Sequence, residues 1–140
     1  MTLPVILDTG PLVAFASRTD RYCEWAHTVF KSVDSPMLTC DAVVAEACWL
    51  LASVSGGRRI VLASVERGVV VPSFRLADEA GAVSRLMEKY ADIPMDFTDA
   101  CLVRMAKLLD RGTVMTIDSD FRIYRKHHNL SIRTLMPPGV

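Results

Sequence analysis

The sequence predicts an α/β fold in which helices cover both faces of a central, mainly parallel β-sheet of four or five strands. Short apolar runs of strand length alternate with longer segments whose apolar residues recur at helical spacing. Parallel strands need helical crossovers between them, so this alternation favours three layers, α/β/α. The chain has 140 residues and is 51% hydrophobic, which suffices for the core of one domain. We therefore expect residues 1–140 to form a single domain.

The first half of the chain contains two predicted strands and four predicted helices. The apolar run at residues 5–7 is typical of a buried parallel strand, and it ends at Asp8. Pro11 follows a turn and is favoured in the first turn of a helix, which we expect to reach Ala16. Asp41 is a suitable N-cap for a later helix, and Gly56-Gly57 should interrupt it. The remaining expected elements are a helix at 20–33, a strand at 37–39, and helices at 42–53 and from 57 to 66.

The second half continues the alternation. Gly112 is expected to end a long helix that begins near Asp96. The apolar run at 114–117 is predicted to be a strand that ends at Asp118. The expected elements are a strand at 69–72, helices at 77–90 and 96–110, the strand at 114–117, a short helix at 121–127 and a last strand at 131–135.

Composition excludes several classes of protein. No apolar run approaches the roughly 20 residues of a membrane-spanning helix. The first residues lack the charged and small-residue regions of a signal peptide, so we expect a cytoplasmic location. The formal net charge is zero, which argues against a protein that coats nucleic acid by charge alone. The cysteines form no CxxC pair and are expected to be reduced and mostly buried; they are Cys23, Cys40, Cys48 and Cys101.

Two acids follow predicted strands. Asp8 and Asp118 each stand where a strand ends, and parallel α/β sheets bind ligands at the carboxyl ends of their strands. Each acid also has an ordinary explanation, because aspartate is common in turns and helix caps. Their shared placement is the first indication of a site.

Four further acids are candidates. Glu46 lies in mid-helix with apolar neighbours three and four positions away, where an unpaired carboxylate is costly unless it points off that face to water. Asp96 and Asp99 share one face at a helix start, although Asp96 is also a natural N-cap and Asp99 complements the helix dipole. Asp120 fits a cap before residue 121.

Taken together, these acids favour a metal site. Hard divalent cations prefer oxygen ligands, and magnesium is often held by a few carboxylates, waters and substrate phosphates. Carboxylates brought close together repel one another unless a cation is present. Hydrolysis of phosphodiester bonds is a reaction that uses this arrangement.

The sequence resembles the PIN-domain nucleases, and most closely the VapC-type toxin ribonucleases. The resemblance rests on the order and spacing of four segments along the whole chain. They are Val-Ile-Leu-Asp8-Thr9-Gly-Pro-Leu-Val-Ala, Glu46 in the third helix, Pro-Met-Asp96-Phe-Thr-Asp99-Ala-Cys-Leu-Val-Arg-Met-Ala, and Val-Met-Thr116-Ile-Asp118-Ser-Asp120-Phe121.

The resemblance implies a metal-dependent endoribonuclease with Mg²⁺ or Mn²⁺ as cofactor. The implied catalytic and metal-binding residues are Asp8, Glu46, Asp99 and Asp118. Asp96, Thr116, Asp120 and Thr9 are implied auxiliary residues. The family also implies cleavage of single-stranded or loop RNA to leave a 5′-phosphate and a 3′-hydroxyl, a homodimer, and a small antitoxin protein that inserts a segment near the site.

Basic residues near the acids are candidates for RNA contacts. They are Arg18 and Arg21 after the first helix and Arg122, Arg125 and Lys126 after Asp118, although a solvated surface is the more common explanation for such residues. His127 and His128 are expected at the surface rather than as a general base, because a metal would itself generate hydroxide.

Other functions remain open from the sequence. Residues 7–10, Leu-Asp-Thr-Gly, also match the active-site string of aspartic proteases, whose fold is all-β. A PIN protein could act in RNA processing without being a toxin, or serve as a non-catalytic RNA- or protein-binding module. A flap-endonuclease relative would need additional DNA-binding elements, for which 140 residues leave no room.

Overall fold

A computed structural model describes residues 3–140 of the chain. Its centre is a five-stranded sheet in the order β3-β2-β1-β4-β5, and every pairing is parallel. The strands are β1 (Val5–Leu7), β2 (Met37–Thr39), β3 (Val70–Pro72), β4 (Thr113–Met115) and β5 (Arg133–Leu135). The helices are α1 (Thr9–Ala16), α2 (Cys23–Ser32), α3 (Asp41–Leu50), α4 (Gly57–Glu66), α5 (Leu76–Lys89) and α6 (Phe97–Leu108).

The direction of strand addition reverses at β1. The chain adds β2 and β3 on one side of β1, then crosses to add β4 and β5 on the other. Helix α1 packs against α2, α3 and α4, whereas α5 packs against α6, which also touches β1 and β4. Right-handed crossovers in opposite directions place these two groups on opposite faces. The predicted three-layer α/β fold is confirmed, and its topological switch point lies between β1 and β4.

The core surrounds β1. Its three residues are fully buried, as expected for a strand covered on both faces. Ile6 pairs with Leu38 on one side and with Val114 on the other. The buried Thr39 hydroxyl donates to the Leu7 carbonyl at 2.7 Å and satisfies an acceptor at the end of β1. The carboxyl end of β1 is therefore rigidly placed.

The N-terminal boundaries of two helices differ from the prediction. Helix α2 begins at Cys23 rather than residue 20, because the Asp20 side chain accepts the Tyr22 N–H at 2.8 Å and closes a turn. Helix α3 begins at Asp41 with Cys40 as its N-cap, so the predicted cap at Asp41 is wrong. Asp41 instead lies in the first turn, where its charge complements the helix dipole.

The segment after β4 departs most from the prediction. Strand β4 ends at Met115, so Asp118 follows it by three residues. The predicted helix at 121–127 is absent, and two short 3₁₀ helices, Ser119–Arg122 and His127–Asn129, stand near those positions. His128 and Asn129 have φ values of 59° and 57°, which an α-helix does not permit.

The structure also bears on two other classes of protein, aspartic proteases and membrane-spanning proteins. Helices and a parallel sheet make up the structure, which rules out the all-β aspartic protease fold. None of the helices in residues 3–140 has the length and apolar character needed to cross a membrane. Met1 and Thr2, part of the N-terminal stretch predicted not to be a signal peptide, lie outside the described residues.

Candidate active site

Asp8 lies at the switch point between β1 and β4. It is the residue after β1, and its backbone N–H donates to the Met115 carbonyl at the end of β4 at 3.0 Å. One carboxylate oxygen, Oδ1, accepts the Thr9 N–H at 2.7 Å, which caps α1. The other, Oδ2, accepts the Thr116 hydroxyl at 2.7 Å. Asp8 is thus fixed by both central strands.

Thr116 links Asp8 to the segment that carries Asp118. Its fully buried hydroxyl donates to Asp8 and accepts the Asp118 N–H at 2.9 Å. The Asp118 carboxylate then accepts the Asp120 N–H at 2.9 Å and begins the following 3₁₀ helix. Thr116 therefore holds two predicted site residues in position, and its auxiliary role in the site stays a prediction.

Glu46 reaches the site from α3. Its Oε1 accepts the Thr9 hydroxyl at 3.1 Å, and its Oε2 accepts a short hydrogen bond from the Thr98 hydroxyl. Thr9 follows Asp8 and Thr98 precedes Asp99, so these bonds hold Glu46 between the two aspartates. This orientation favours the site interpretation of Glu46 over a carboxylate that points away to water.

Asp99 enters from the first turn of α6. The Asp96 side chain accepts the Asp99 N–H at 2.8 Å, so Asp96 is the N-cap of α6. The buried Tyr124 hydroxyl donates to Asp99 Oδ2 at 3.1 Å. Asp96 therefore has at least a structural role, and Asp99 is held from two directions.

The electrostatics indicate that these acids lie close together. Burial raises the pKa of Asp8 to about 6, and the charges of Asp118 and Glu46 add to the rise against the hydrogen bonds from Thr116 and Thr9. Burial also raises the pKa of Asp99 to about 7, with contributions from Asp96, Asp8 and Asp118. Four elements distant in sequence thus place mutually repelling carboxylates together.

The donor set suits a hard divalent cation. The residues are carboxylates flanked by hydroxyls, which is oxygen chemistry that Mg²⁺ and Mn²⁺ accept. Within residues 3–140, no three His, Cys, Asp or Glu side chains form a ready-made metal cluster. Neighbouring carboxylates contribute to the raised pKa values of Asp8 and Asp99, and hydrogen-bond donors from nearby residues hold the side chains in place.

The predicted RNA-contacting residues divide into two groups. Arg18 and Arg21 are exposed between α1 and α2, and Arg21 stacks on Tyr22 at 5.3 Å from the ring centre. Arg122 donates to the Val140 carbonyl, and one nitrogen of Arg125 donates to three backbone carbonyls of residues 122–124. These last two guanidinium groups already serve to hold the segment after Asp118.

The remaining predictions concern histidines and cysteines. His127 and His128 are exposed, and their rings meet edge-on. The cysteines are free, and Cys40 and Cys101 are buried; Cys23 and Cys48 are half-buried. The predicted surface position of the histidines agrees with this arrangement, and the reduced state of the cysteines stays a prediction.

Two site residues are absent from the sequence prediction, Thr98 and Tyr124. Thr98 stands between the two acids of α6, and a hydroxyl there beside Asp99 is a signal that sequence reasoning could have used. Tyr124 gave no such signal, because its segment was predicted as a helix and only the fold brings it to Asp99.

Comparison with known proteins identifies the fold. The model of the PIN-domain family matches residues 5–127, a range that includes all four candidate acids. No curated protein matches the chain at a significant level. The crystal structure of VapC20 of Mycobacterium tuberculosis, a toxin that cleaves the sarcin–ricin loop, superposes with a TM-score of 0.71 at 20% identity, over 92% of this chain and 98% of that one. The chain therefore belongs to the PIN-domain family.

Proposed function

We propose that the protein is a divalent-metal-dependent endoribonuclease, with Asp8, Glu46, Asp99 and Asp118 as its catalytic and metal-binding residues. The observation that carries this proposal is the set of carboxylates that four separate elements bring to the switch point of the sheet. Buried acids that repel one another lower the stability of the folded chain, and a cation would offset that cost.

Each side chain has a defined part in this proposal. When bound, Mg²⁺ or Mn²⁺ would activate water for attack on a phosphodiester and offset the charge of the phosphate. Thr116 orients Asp8, and Thr9 and Thr98 orient Glu46 through both carboxylate oxygens. Tyr124 holds Asp99 by donating to Oδ2. The protein supplies no nucleophile of its own.

We further propose that the protein is the toxin of a toxin–antitoxin pair. The similarity to VapC20 supports this assignment, as do the four sequence segments typical of VapC-type toxins. The proposal includes a cytoplasmic homodimer, a small antitoxin protein and a single-stranded or loop RNA substrate. It also treats residues 1–140 as one domain, because β5 lies beyond the family match and completes the sheet beside β4.

Cleavage of a panel of structured RNAs tests the proposal. The panel includes a sarcin–ricin loop RNA and transfer RNAs, each incubated with Mn²⁺ or with EDTA. The proteins are the wild type, Asp8→Asn and the matched control Asp110→Asn, which makes the same change at an exposed acid beyond α6. We expect cutting by the wild type and the control with Mn²⁺ only, and none by Asp8→Asn.

A second readout does not depend on knowing the substrate. Mn²⁺ should raise the melting temperature of the wild type and of Asp110→Asn, and should have little effect on Asp8→Asn. If Mn²⁺ stabilises none of them and no RNA is cut, the protein is a binding module. Equal cutting by Asp8→Asn would place the active site elsewhere.

A further inference from the structure

A basic groove lies between α5 and α6. It has a volume of about 160 Å³, and four cationic side chains line it: Arg85, Lys89, Arg104 and Lys107. Two cations come from each helix. We call this feature the α5–α6 groove. It contains none of the basic residues that the sequence analysis singled out for RNA contacts.

The charges in the groove are largely uncompensated. Arg104 forms an ion pair with Glu79 at 2.6 Å. Among residues 3–140, no carboxylate lies within ion-pair distance of the other three cations. The pKa of Lys107 is lowered by burial and by the charges of Lys89 and Arg104. The cations therefore repel one another, and an anion in the groove would relieve this repulsion.

Helix dipoles account for only part of this arrangement. Lys89 and Lys107 stand in the last turns of their helices, where a cation is favoured. That effect explains a lysine at each helix end. It does not explain why Arg85 and Arg104, from earlier turns, meet the two lysines in one groove.

The groove is connected to the candidate active site by α6 and by two tyrosines. Arg104 and Lys107 follow Asp99 on α6, and helix geometry places them about 8 and 12 Å further along the axis. On the other side, Lys89 lies 5.3 Å from the Tyr90 ring centre, and Tyr90 packs edge-on against Tyr124, which bonds to Asp99. Groove and site are thus linked by a continuous chain of contacts.

We infer that the α5–α6 groove binds the phosphate backbone of the RNA on one side of the scissile bond; this inference rests on the proposed function. At about 3.4 Å per nucleotide in a stacked strand, the axial distances from Asp99 correspond to roughly two to four nucleotides. Arginine is suited to bidentate phosphate contacts, and the groove contains two arginines. The groove would hold the strand by charge, without reading its sequence.

Equilibrium binding in EDTA tests the inference, because no cleavage can occur there. A labelled single-stranded oligouridylate is titrated with the full chain and followed by fluorescence anisotropy at several salt concentrations. The test variant is Arg85→Gln/Lys89→Gln, at two exposed positions of α5. The matched control is Lys31→Gln/Arg133→Gln, which removes the same charge from two exposed positions outside the groove.

We expect the groove variant to bind the oligouridylate roughly five- to tenfold more weakly than the wild type at about 0.1 M salt. The slope of log K against log salt should also be shallower by about 1.4, because each lost phosphate contact on a single strand removes about 0.7. The control should retain both values. Lys107→Met should also weaken binding while its melting temperature stays equal or rises, because a repelled charge is lost. If Lys107 served only to stabilise the fold, Lys107→Met would lower the melting temperature.

Three outcomes would overturn the inference. The groove variant could bind RNA as the wild type does, or both double variants could lose affinity equally, which would indicate a general charge effect. A polyglutamate peptide could also bind the groove in place of RNA, which would make it a site for an acidic protein. Failure of RNA cleavage affects only the proposed function, since binding is measured without metal.

Discussion

Thr116 is the residue on which the geometry of the site depends most directly. Its one hydroxyl donates to Asp8 and accepts from the Asp118 backbone. It has no exposed surface, so water cannot replace it. The sequence predicts an auxiliary role for Thr116 only through the family resemblance. Of its two bonds, the one to Asp8 joins residues 108 positions apart, whereas the one to Asp118 is local.

Replacement of Thr116 by valine tests this role. Thr116→Val keeps the shape but leaves the Asp118 N–H and one Asp8 oxygen without a partner, which should lower the free energy of unfolding by about 1–3 kcal/mol. Cleavage should fall with it. Thr116→Ser restores the hydroxyl and should recover most of both. Chemical denaturation in EDTA measures the stability, and a valine variant as stable and as active as the serine variant would contradict the assignment.

When no metal is bound, the buried charge of Asp8 should lower the free energy of unfolding. Asp8→Asn removes a buried charge that Asp118 and Glu46 repel, and the amide can still accept the Thr9 N–H. We expect the melting temperature in EDTA to be equal to or higher than that of the wild type, with cleavage abolished. Thermal unfolding with Asp110→Asn as control checks this. A large loss of stability would show that Asp8 serves chiefly as a cap.

The raised pKa values of Asp8 and Asp99 predict a pH dependence of stability. Both are higher in the folded chain, at about 6 and about 7, than the ordinary value of 3.8. The folded state therefore holds more protons on these acids, and their stabilising contribution, complete below about pH 4, is lost as the pH rises through 6 and 7. Urea denaturation in EDTA at pH 5 and at pH 8 should show this loss, and Asp8→Asn should show less of it.

At the scale of elements, the contact of Gly10 with Ile117 sets the distance between the first turn of α1 and the segment that follows β4. Gly10 lies in α1, and Ile117 separates Thr116 from Asp118. A Cβ on Gly10 would lie 2.6 Å from Ile117 Cγ1 and 2.8 Å from its Cδ1. The glycine is therefore required for close approach, although the sequence suggested only a turn there.

Gly10→Ala should reduce both stability and cleavage. In an ordinary helix, replacing glycine by alanine raises the free energy of unfolding by about 1 kcal/mol. A loss of stability here would therefore be opposite in sign to the effect of helix propensity. The added methyl group would push Ile117 and move the Thr116–Asp118 segment. The double variant Gly10→Ala/Ile117→Ala removes the clashing atoms and should recover metal-dependent activity relative to Gly10→Ala. Gain of stability in the single variant would refute the steric explanation.

The elements themselves were predictable to different degrees. The strands were largely predictable because apolar runs bounded by acids and glycines are strong local signals. The segment at 119–129 was not, because its conformation depends on the Asp118 cap and on the Arg125 side chain, which binds carbonyls of residues 122–124. The aspartates could be predicted from their placement at element ends, and Glu46 from its apolar neighbours in mid-helix. Tyr124 was missed because only the tertiary fold brings it to Asp99.

At the scale of the whole molecule, the zero net charge conceals a division of charge. Carboxylates collect at the switch point, while four cations collect in the α5–α6 groove. Composition argued against a protein that binds nucleic acid by charge. The structure shows why composition alone was a weak guide: equal numbers of acids and bases are compatible with strong local fields.

This division predicts different responses to salt and to metal. Mn²⁺ should raise the melting temperature of the wild type by mass action, by an amount that grows with Mn²⁺ concentration. Sodium chloride at the same ionic strength should not reproduce the shift, because a bound cation needs the ordered carboxylates. Thermal unfolding in a Mn²⁺ series, with ionic strength held constant, measures this effect. Equal shifts from both salts would indicate general screening instead of a site.

The pairing of β1 with β4 also affects the order in which the candidate site is assembled during synthesis. The hydrogen bond between Thr116 and Asp8 spans 108 positions of the chain. During synthesis, Asp8 is made well before its partners on α6 and after β4. A nascent chain can therefore contain β1, β2 and β3 before the candidate active site is complete. Whatever chemistry the acids perform, the molecule acquires it only after α6 and the segment that follows β4 have been made.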